Sequence, residues 1–205
     1  MPPPASQKKR TWSAAIFSGF NLGYGAVPSR SLTSDGSPVE SSGGSTRNTL
    51  AFAVSAETPI ATGLYIEPTL AYVQRGVRYN IATIESLNLP AEVILNYIEL
   101  PLLLKAKLAT HSPRLRFCFS LGPAIGVLVT RKAEVLGLVE KDLTERFEGH
   151  DAMLHLGGGI EYALNRDSAL LSHVRYNLGL IDIDKEESYF YSRGIQILFG
   201  FQFGL

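Results

Sequence analysis

Residues 194–205 end the chain with Gly-Ile-Gln-Ile-Leu-Phe-Gly-Phe-Gln-Phe-Gly-Leu. Ile195, Ile197, Phe199, Phe201, Phe203 and Leu205 interleave with Gly194, Gln196, Leu198, Gly200, Gln202 and Gly204, a period of two that belongs to a strand with one greasy face. The same alternation recurs upstream. Trp12, Ala14, Ile16, Ser18, Phe20, Leu22 and Tyr24 oppose Ser13, Gly19, Asn21 and Gly23; Leu50, Phe52 and Val54 oppose Thr49, Ala53, Ser55 and Glu57. Leu64, Ile66, Leu70 and Tyr72 oppose Tyr65, Glu67, Thr69 and Arg75, while Ile98, Leu100, Leu102, Leu104 and Leu108 oppose Glu99, Lys105 and Lys107, with Leu103 as an exception. The longest run sets Leu115, Phe117, Phe119, Leu121, Ile125, Val127 and Val129 against Arg114, Arg116, Cys118, Ser120, Gly122, Ala124 and Gly126. Leu154, Leu156, Ile160 and Tyr162 then oppose His155, Gly157, Gly159 and Glu161, and Leu170, Val174, Tyr176 and Leu178 oppose His173, Arg175, Asn177 and Gly179. The chain therefore reads as eight strands.

The connections alternate in length, and this predicts the topology. Long ones run from Ala26 to Thr46, Gly76 to Glu92, Thr130 to His150 and Ile181 to Tyr189. Short ones, near Thr58 to Ala61, Ala109 to Pro113 and Ala163 to Ser168, carry Pro, Asn or Asp turn chemistry. Long loops at one end and tight turns at the other describe an up-and-down antiparallel meander with both chain ends on the short-turn side.

The composition bounds the possibilities. A length of 205 residues suits one domain. Lys+Arg and Asp+Glu number 19 each and are interspersed, so the electrostatic footprint of a nucleic-acid binder is missing and nucleic acid is not an expected partner. The single cysteine, Cys118, excludes an internal disulfide. No run of about 18 apolar residues offers a membrane-spanning helix, a criterion that strands escape. Residues 1–11, with Pro2, Pro3, Pro4, Lys8, Lys9 and Arg10 and no apolar core of a secretory signal, read as a disordered linker or tail ahead of a barrel over 12–205, as in a fragment of a longer precursor.

Alternation alone does not say which face is wet. Three features put the apolar face in lipid. The strands run about 11 to 15 residues, long enough to cross a bilayer at a tilt of ~45°. The opposite face is rich in Gly, Ala and Ser, which suits the cramped interior of an eight-stranded barrel. Aromatic residues sit on the apolar face near strand ends: Trp12, Tyr24, Tyr72, Tyr162 and Tyr176 are the expected interfacial girdle. The expectation is an all-β, eight-stranded, antiparallel up-and-down transmembrane barrel. Its lumen would gather Glu57, Glu67, Glu99 and Glu161 against Arg75, Lys105, Lys107, Arg116 and Arg175, with His155, His173, Asn177, Gln196 and Gln202 nearby. Buried charges need partners, so these predict an interior ion-pair network and not an open pore. The competing architecture is a soluble, lipocalin-like barrel around a lipophilic ligand.

Several blocks together carry a resemblance: Gly19-Phe20-Asn21-Leu22-Gly23, Tyr97-Ile98-Glu99-Leu100-Pro101-Leu102-Leu103-Leu104-Lys105, Leu121-Gly122-Pro123-Ala124-Ile125-Gly126, Gly157-Gly158-Gly159-Ile160-Glu161-Tyr162 and Arg175-Tyr176-Asn177-Leu178-Gly179-Leu180, with the closing aromatic strand. From Trp12 to Leu205 the chain resembles the PorT-like, or outer membrane protein beta-barrel, family of Bacteroidota, similar in architecture to the small OmpX and OmpA barrels. Gly200, Phe203 and Leu205 match the C-terminal signal read by the barrel-assembly machinery, although Leu198 replaces a polar residue and the last residue is Leu instead of Phe. The resemblance implies an outer-membrane monomer with periplasmic termini and extracellular long loops. Its role would be that of an anchor, adhesion or envelope-signalling module, in some relatives the last domain of a longer anti-sigma-type protein.

Some small outer-membrane barrels modify lipid A, which makes an enzyme the alternative. Ser172 and His173 are adjacent and so project to opposite faces, and no Gly-x-Ser-x-Gly turn accompanies His155 or His173. No catalytic residue is assigned. Asp182, Asp184, Glu186 and Glu187 lack calcium-loop spacing and read as a solvated loop; neither metal nor cofactor is expected. Val135, Leu136, Leu138, Val139, Leu143 and Phe147, among charges between Thr130 and His150, predict a hairpin reaching beyond the lipid with an edge open to an extracellular or periplasmic protein partner.

Overall fold

A computed structural model describes residues 12–25, 42–82, 88–135, 139–142, 148–183 and 191–204. The strands are β1 (Ser13–Gly25), β2 (Ser42–Ala61), β3 (Leu64–Ala82), β4 (Asn88–Ala109), β5 (Leu115–Val135), β6 (Val139–Asp142), β7 (His150–Ala163), β8 (Ser168–Gly179) and β9 (Ser192–Gly204). Neighbours follow the order β4-β3-β2-β1-β9-β8-β7-β5, and pairing of β4 with β5 closes the ring. Every pairing is antiparallel. Eight strands thus make the barrel, as the alternation predicts. The ninth, β6, lies outside the ring and, among the described residues, pairs with β5 alone, from Val139 opposite Val135 to Asp142 opposite Lys132.

Among the described side chains, the greasy face of each barrel strand points outward. Phe119 is 57% exposed, Ile125 61% and Phe199 54%, values that would be untenable for a contiguous belt in water. Burying such side chains in hydrocarbon is worth about 1.5–3 kcal/mol each relative to water. The soluble, lipocalin-like alternative needs Phe199 and Phe201 packed inside, and both face out.

Four strands outrun the sequence reading. The connection expected over Gly76 to Glu92 is mostly ladder, because β3 and β4 stay in register from Gly76 opposite Ile94 to Ala82 opposite Asn88. β2 likewise begins at Ser42, inside the first expected loop, and β5 continues to Val135. The backbone ladder with β4 carries β3 this far. Consequently Tyr72, expected to end its strand, lies well within β3. Residues 1–11, Leu205 and most of the long-loop acidic run, Asp184, Glu186 and Glu187, fall outside the described residues.

Glycines set the bore. On β7, a Cβ at Gly159 would stand 2.3 Å from His173 Cδ2, and one at Gly157 2.9 Å from Arg175 Cγ. These cross-strand partners, Gly159 with His173 and Gly157 with Arg175, place a large side chain opposite none, which is how a narrow barrel houses two bulky polar groups. Gly200 serves Phe17 in the same way, since a Cβ there would meet the Phe17 ring at 2.5 Å.

Candidate functional site

Inward positions alternate with lipid-facing ones, so residues two apart stack along the bore and sheet register decides which of them meet. At the short-turn end Glu57, Glu67, Glu161, Lys105 and Arg175 are buried, with Lys107 beside them. Lys105 Nζ reaches three carboxylates: Glu67 Oε2 at 2.8 Å, Glu161 Oε1 at 2.8 Å and Glu57 Oε2 at 3.1 Å. Lys107 Nζ takes the second oxygens of Glu57 and Glu161, at 2.5 and 2.9 Å, and lies 4.5 Å from the Tyr65 ring centroid. Arg175 Nη2 donates to Glu67 Oε1 at 2.6 Å and its guanidinium stands over Phe17. Three carboxylates against two ammoniums and one guanidinium leave this cluster neutral, which is what permits it in a wall surrounded by lipid.

Above it the lumen turns apolar. Ala15, Phe17, Ala51, Ala53, Ala71, Val73, Leu171 and Leu198 form a buried cluster across four adjacent strands and their neighbour β8. A second charged group follows. Arg75 Nη2 donates to Glu99 Oε1 at 2.5 Å, its Nη1 donates to Ser192 Oγ at 2.7 Å, and Ser192 Oγ donates to Asp151 Oδ2 at 2.5 Å. His155 Nε2 lies 3.6 Å from Glu99 Oε2, and the Arg75 guanidinium covers the Tyr97 ring at 4.8 Å. Nearer the long loops Asn21 Nδ2 donates to Gln74 O at 2.9 Å, the Thr49 hydroxyl donates to the same carbonyl, and Asn177 and Gln196 are buried. At that end Val93, Leu95, Tyr97, Leu128 and the fully buried Ile183 pack together, so the chain after β8 folds back over the bore.

Arg116 departs from the expected network. It has the lumenal parity, opposite Glu161 in the ladder, yet it is exposed. The physical reason is height: Lys105 and Lys107 already occupy both oxygens of Glu161 from inside, and Arg116 stands at the rim where water solvates it. It lines an opening of about 950 Å³ at the short-turn mouth together with Glu57, Lys107, Glu161, Arg114 and Arg166. Gln202, also on that wall, donates to Ser13 Oγ at 2.7 Å.

The histidines belong to different groups. His173 Nε2 lies 3.4 Å from Cys118 Sγ and its ring 5.4 Å from that of Phe17, whereas His155 belongs with Glu99. Donor atoms of Cys118, Glu161 and His173 come within 4.8 Å of one another, a possible metal-holding geometry. Both oxygens of Glu161 are engaged by ammonium groups, which supply the positive charge a metal would bring. Of the girdle residues, Trp12, Tyr162 and Tyr176 are exposed on the lipid side, Tyr72 is half-buried there, and the side chain of Tyr24 lies outside the described ones. Phe203 faces out and Gly200 in.

Sequence reasoning missed Asp151, Ser192, Tyr97 and Phe17. Extending the alternation of His155 two steps back reaches Met153 and Asp151, and that of Gln196 reaches Gly194 and Ser192, so the first two were within reach. Phe17 and Tyr97 were not, because an aromatic on an otherwise small or polar face carries no sign of which side it takes.

The family described as "Outer membrane protein beta-barrel domain" matches residues 5–185. No protein of curated function matches the chain. Among solved structures it is similar to Neisserial surface protein A, with 14% identity, TM-score 0.56 and coverage of 95% of this chain and 97% of that one. The outer membrane protein OprG from Pseudomonas aeruginosa gives 13% identity, TM-score 0.54 and coverages of 96% and 97%. The outer membrane protein AlkL gives 15%, 0.51, 98% and 95%. At these identities the likeness is one of fold.

Proposed function

Because the chain belongs to the outer membrane protein beta-barrel domain family, and is therefore an outer-membrane barrel, we propose that it is a non-conducting, non-enzymatic anchor that presents a protein-binding hairpin outside the cell. The observation that carries this reading is a bore filled by side chains at successive levels while β5 and β6 continue beyond the ring. A strand pair whose outer member has, among the described residues, a partner on one side only offers unpaired backbone groups to an extended segment of another protein. The termini and short turns then face the periplasm, and the chain works as a monomer in contact with outer-membrane lipid. Gly200, Phe203 and Leu205 act as its assembly signal. The resemblance of the Ile98–Lys105 block supports kinship with the PorT-like proteins of Bacteroidota and, with it, an adhesion or envelope-signalling role, in some relatives at the end of a longer anti-sigma-type protein.

The test has three parts. An epitope inserted at residue 137 should be labelled on intact cells, and one at residue 112 only after the outer membrane is permeabilised; the opposite labelling would reverse the orientation. Deletion of residues 136–146 should leave heat-modifiable gel migration intact and abolish adhesion or partner capture. In planar bilayers the purified barrel should pass no more than small, sporadic currents, and steady porin-like conductance would end the anchor reading.

A further inference from the structure

We propose that the short-turn mouth binds a phosphate-type anion, held by Arg114, Arg116 and Arg166. The opening, about 950 Å³, matches the size of ordinary ligand pockets. Its floor is electrically closed: Glu57 and Glu161 give both their oxygens to Lys105 and Lys107. Above that floor the charged side chains on the wall are, among the described residues, the three exposed arginines and Asp167, an excess of two positive charges.

Local folding converges the arginines. Arg116 near the start of β5 and Arg114 in the turn that enters it both line the mouth. Arg166 sits in the turn after β7, and the two turns are stitched together where Ala163 N donates to Arg114 O at 2.7 Å. A concave site with an excess of one sign concentrates counter-ions, and guanidinium forks match phosphate oxygens bidentately where an ammonium does not. Arginine, and not lysine, at all three positions favours phosphate over a simple halide. The outward-facing Trp12 and Tyr162 put this mouth at the level of the lipid headgroups, so the phosphate could belong to a lipid or to a soluble ester. The proposal does not depend on the hairpin or on orientation.

The test uses the full chain in an uncharged detergent with inorganic pyrophosphate as probe, read by calorimetric titration. Saturable binding at low salt is expected, falling steeply as salt rises. The variant R114Q/R116Q/R166Q should bind about a thousandfold more weakly, since three charge-assisted contacts are lost. R193Q, an exposed arginine at the opposite end of β9, should bind like the parent. Heat-modifiable migration reports folding, and single R116Q, expected to weaken binding about tenfold, serves if the triple variant fails to fold. In nanodiscs, weaker pyrophosphate binding with phosphatidylglycerol than with phosphatidylcholine alone identifies a lipid headgroup as the competitor; equal binding identifies a soluble anion. Equal affinity of parent and arginine variants, or no saturable binding in any arm, overturns the proposal.

Discussion

Replacing Lys105 by Met tests the lumenal network most directly. The ammonium is buried and touches Glu57, Glu67 and Glu161 at 3.1, 2.8 and 2.8 Å. Without it, three carboxylates face two cations. Each still has one partner, because Lys107 holds Glu57 and Glu161 and Arg175 holds Glu67. That residual pairing sets the loss at the lower end of the ~3–5 kcal/mol typical of a broken buried ion pair. About 3 kcal/mol is expected, roughly a hundredfold in the folded-to-unfolded ratio. The double variant K105M/E57Q restores the charge balance, leaving Lys107 with Glu161 and Arg175 with Glu67, and should recover more than half of the loss. Urea unfolding in lipid vesicles, followed by the emission of Trp12, the single tryptophan, measures all three proteins, since that side chain is exposed to lipid when folded and to water when not. A K105M barrel within about 0.5 kcal/mol of the parent, or a double variant no more stable than the single one, would refute the claim that charge pairing and not mere filling holds the lumen.

Glu99→Gln should cost about 2 kcal/mol by the same assay, because Arg75 would keep only a neutral acceptor in place of a carboxylate at 2.5 Å, with Asp151 at 4.0 Å. Gly159→Val, driven into His173, should destabilise by about 2 kcal/mol or block folding, whereas Gly158→Ala, whose nearest new neighbour would be 3.6 Å away, should be neutral or slightly stabilising; equal effects would contradict the described bore. Pro68, Pro101 and Pro123 stand in neighbouring strands, with Pro68 opposite Leu102 and Pro101 opposite Ala124. A proline donates no ladder bond, so the amides of Leu102 and Leu103 should exchange with solvent deuterium earlier than those of Ile16 to Phe20; the reverse order would count against a weak seam there.

What could be read from residues alone followed from the pleat. A strand's side chains alternate strictly, and a barrel has only an inside and an outside, so Ile195 to Phe203 or Leu115 to Val129 announce two faces without reference to anything else. Alternating loop lengths then order the strands. The charges on the small-residue face were legible as lumenal for the same reason, and Glu57, Glu67, Glu99, Glu161, Lys105 and Arg175 lie there.

Parity, however, carries no height. Arg116 has the right face and the wrong level, and only the register that sets it beside Glu161 at the rim shows that water, not a carboxylate, accompanies it. Partner choice inside the bore is likewise a three-dimensional matter: Arg175 meets Glu67, 108 residues away, because the closed ring brings β8 and β3 face to face across the lumen. The extension of β3 and β4 and the burial of Ile183 depend on cross-strand pairing and on a loop folding back, neither of which leaves a periodic mark. Sequence alone determined the faces and the strand order, because those depend on residues one and two apart. The tertiary structure decided levels, partners and the open mouth, because those depend on how far each strand slides against the next before the ring closes.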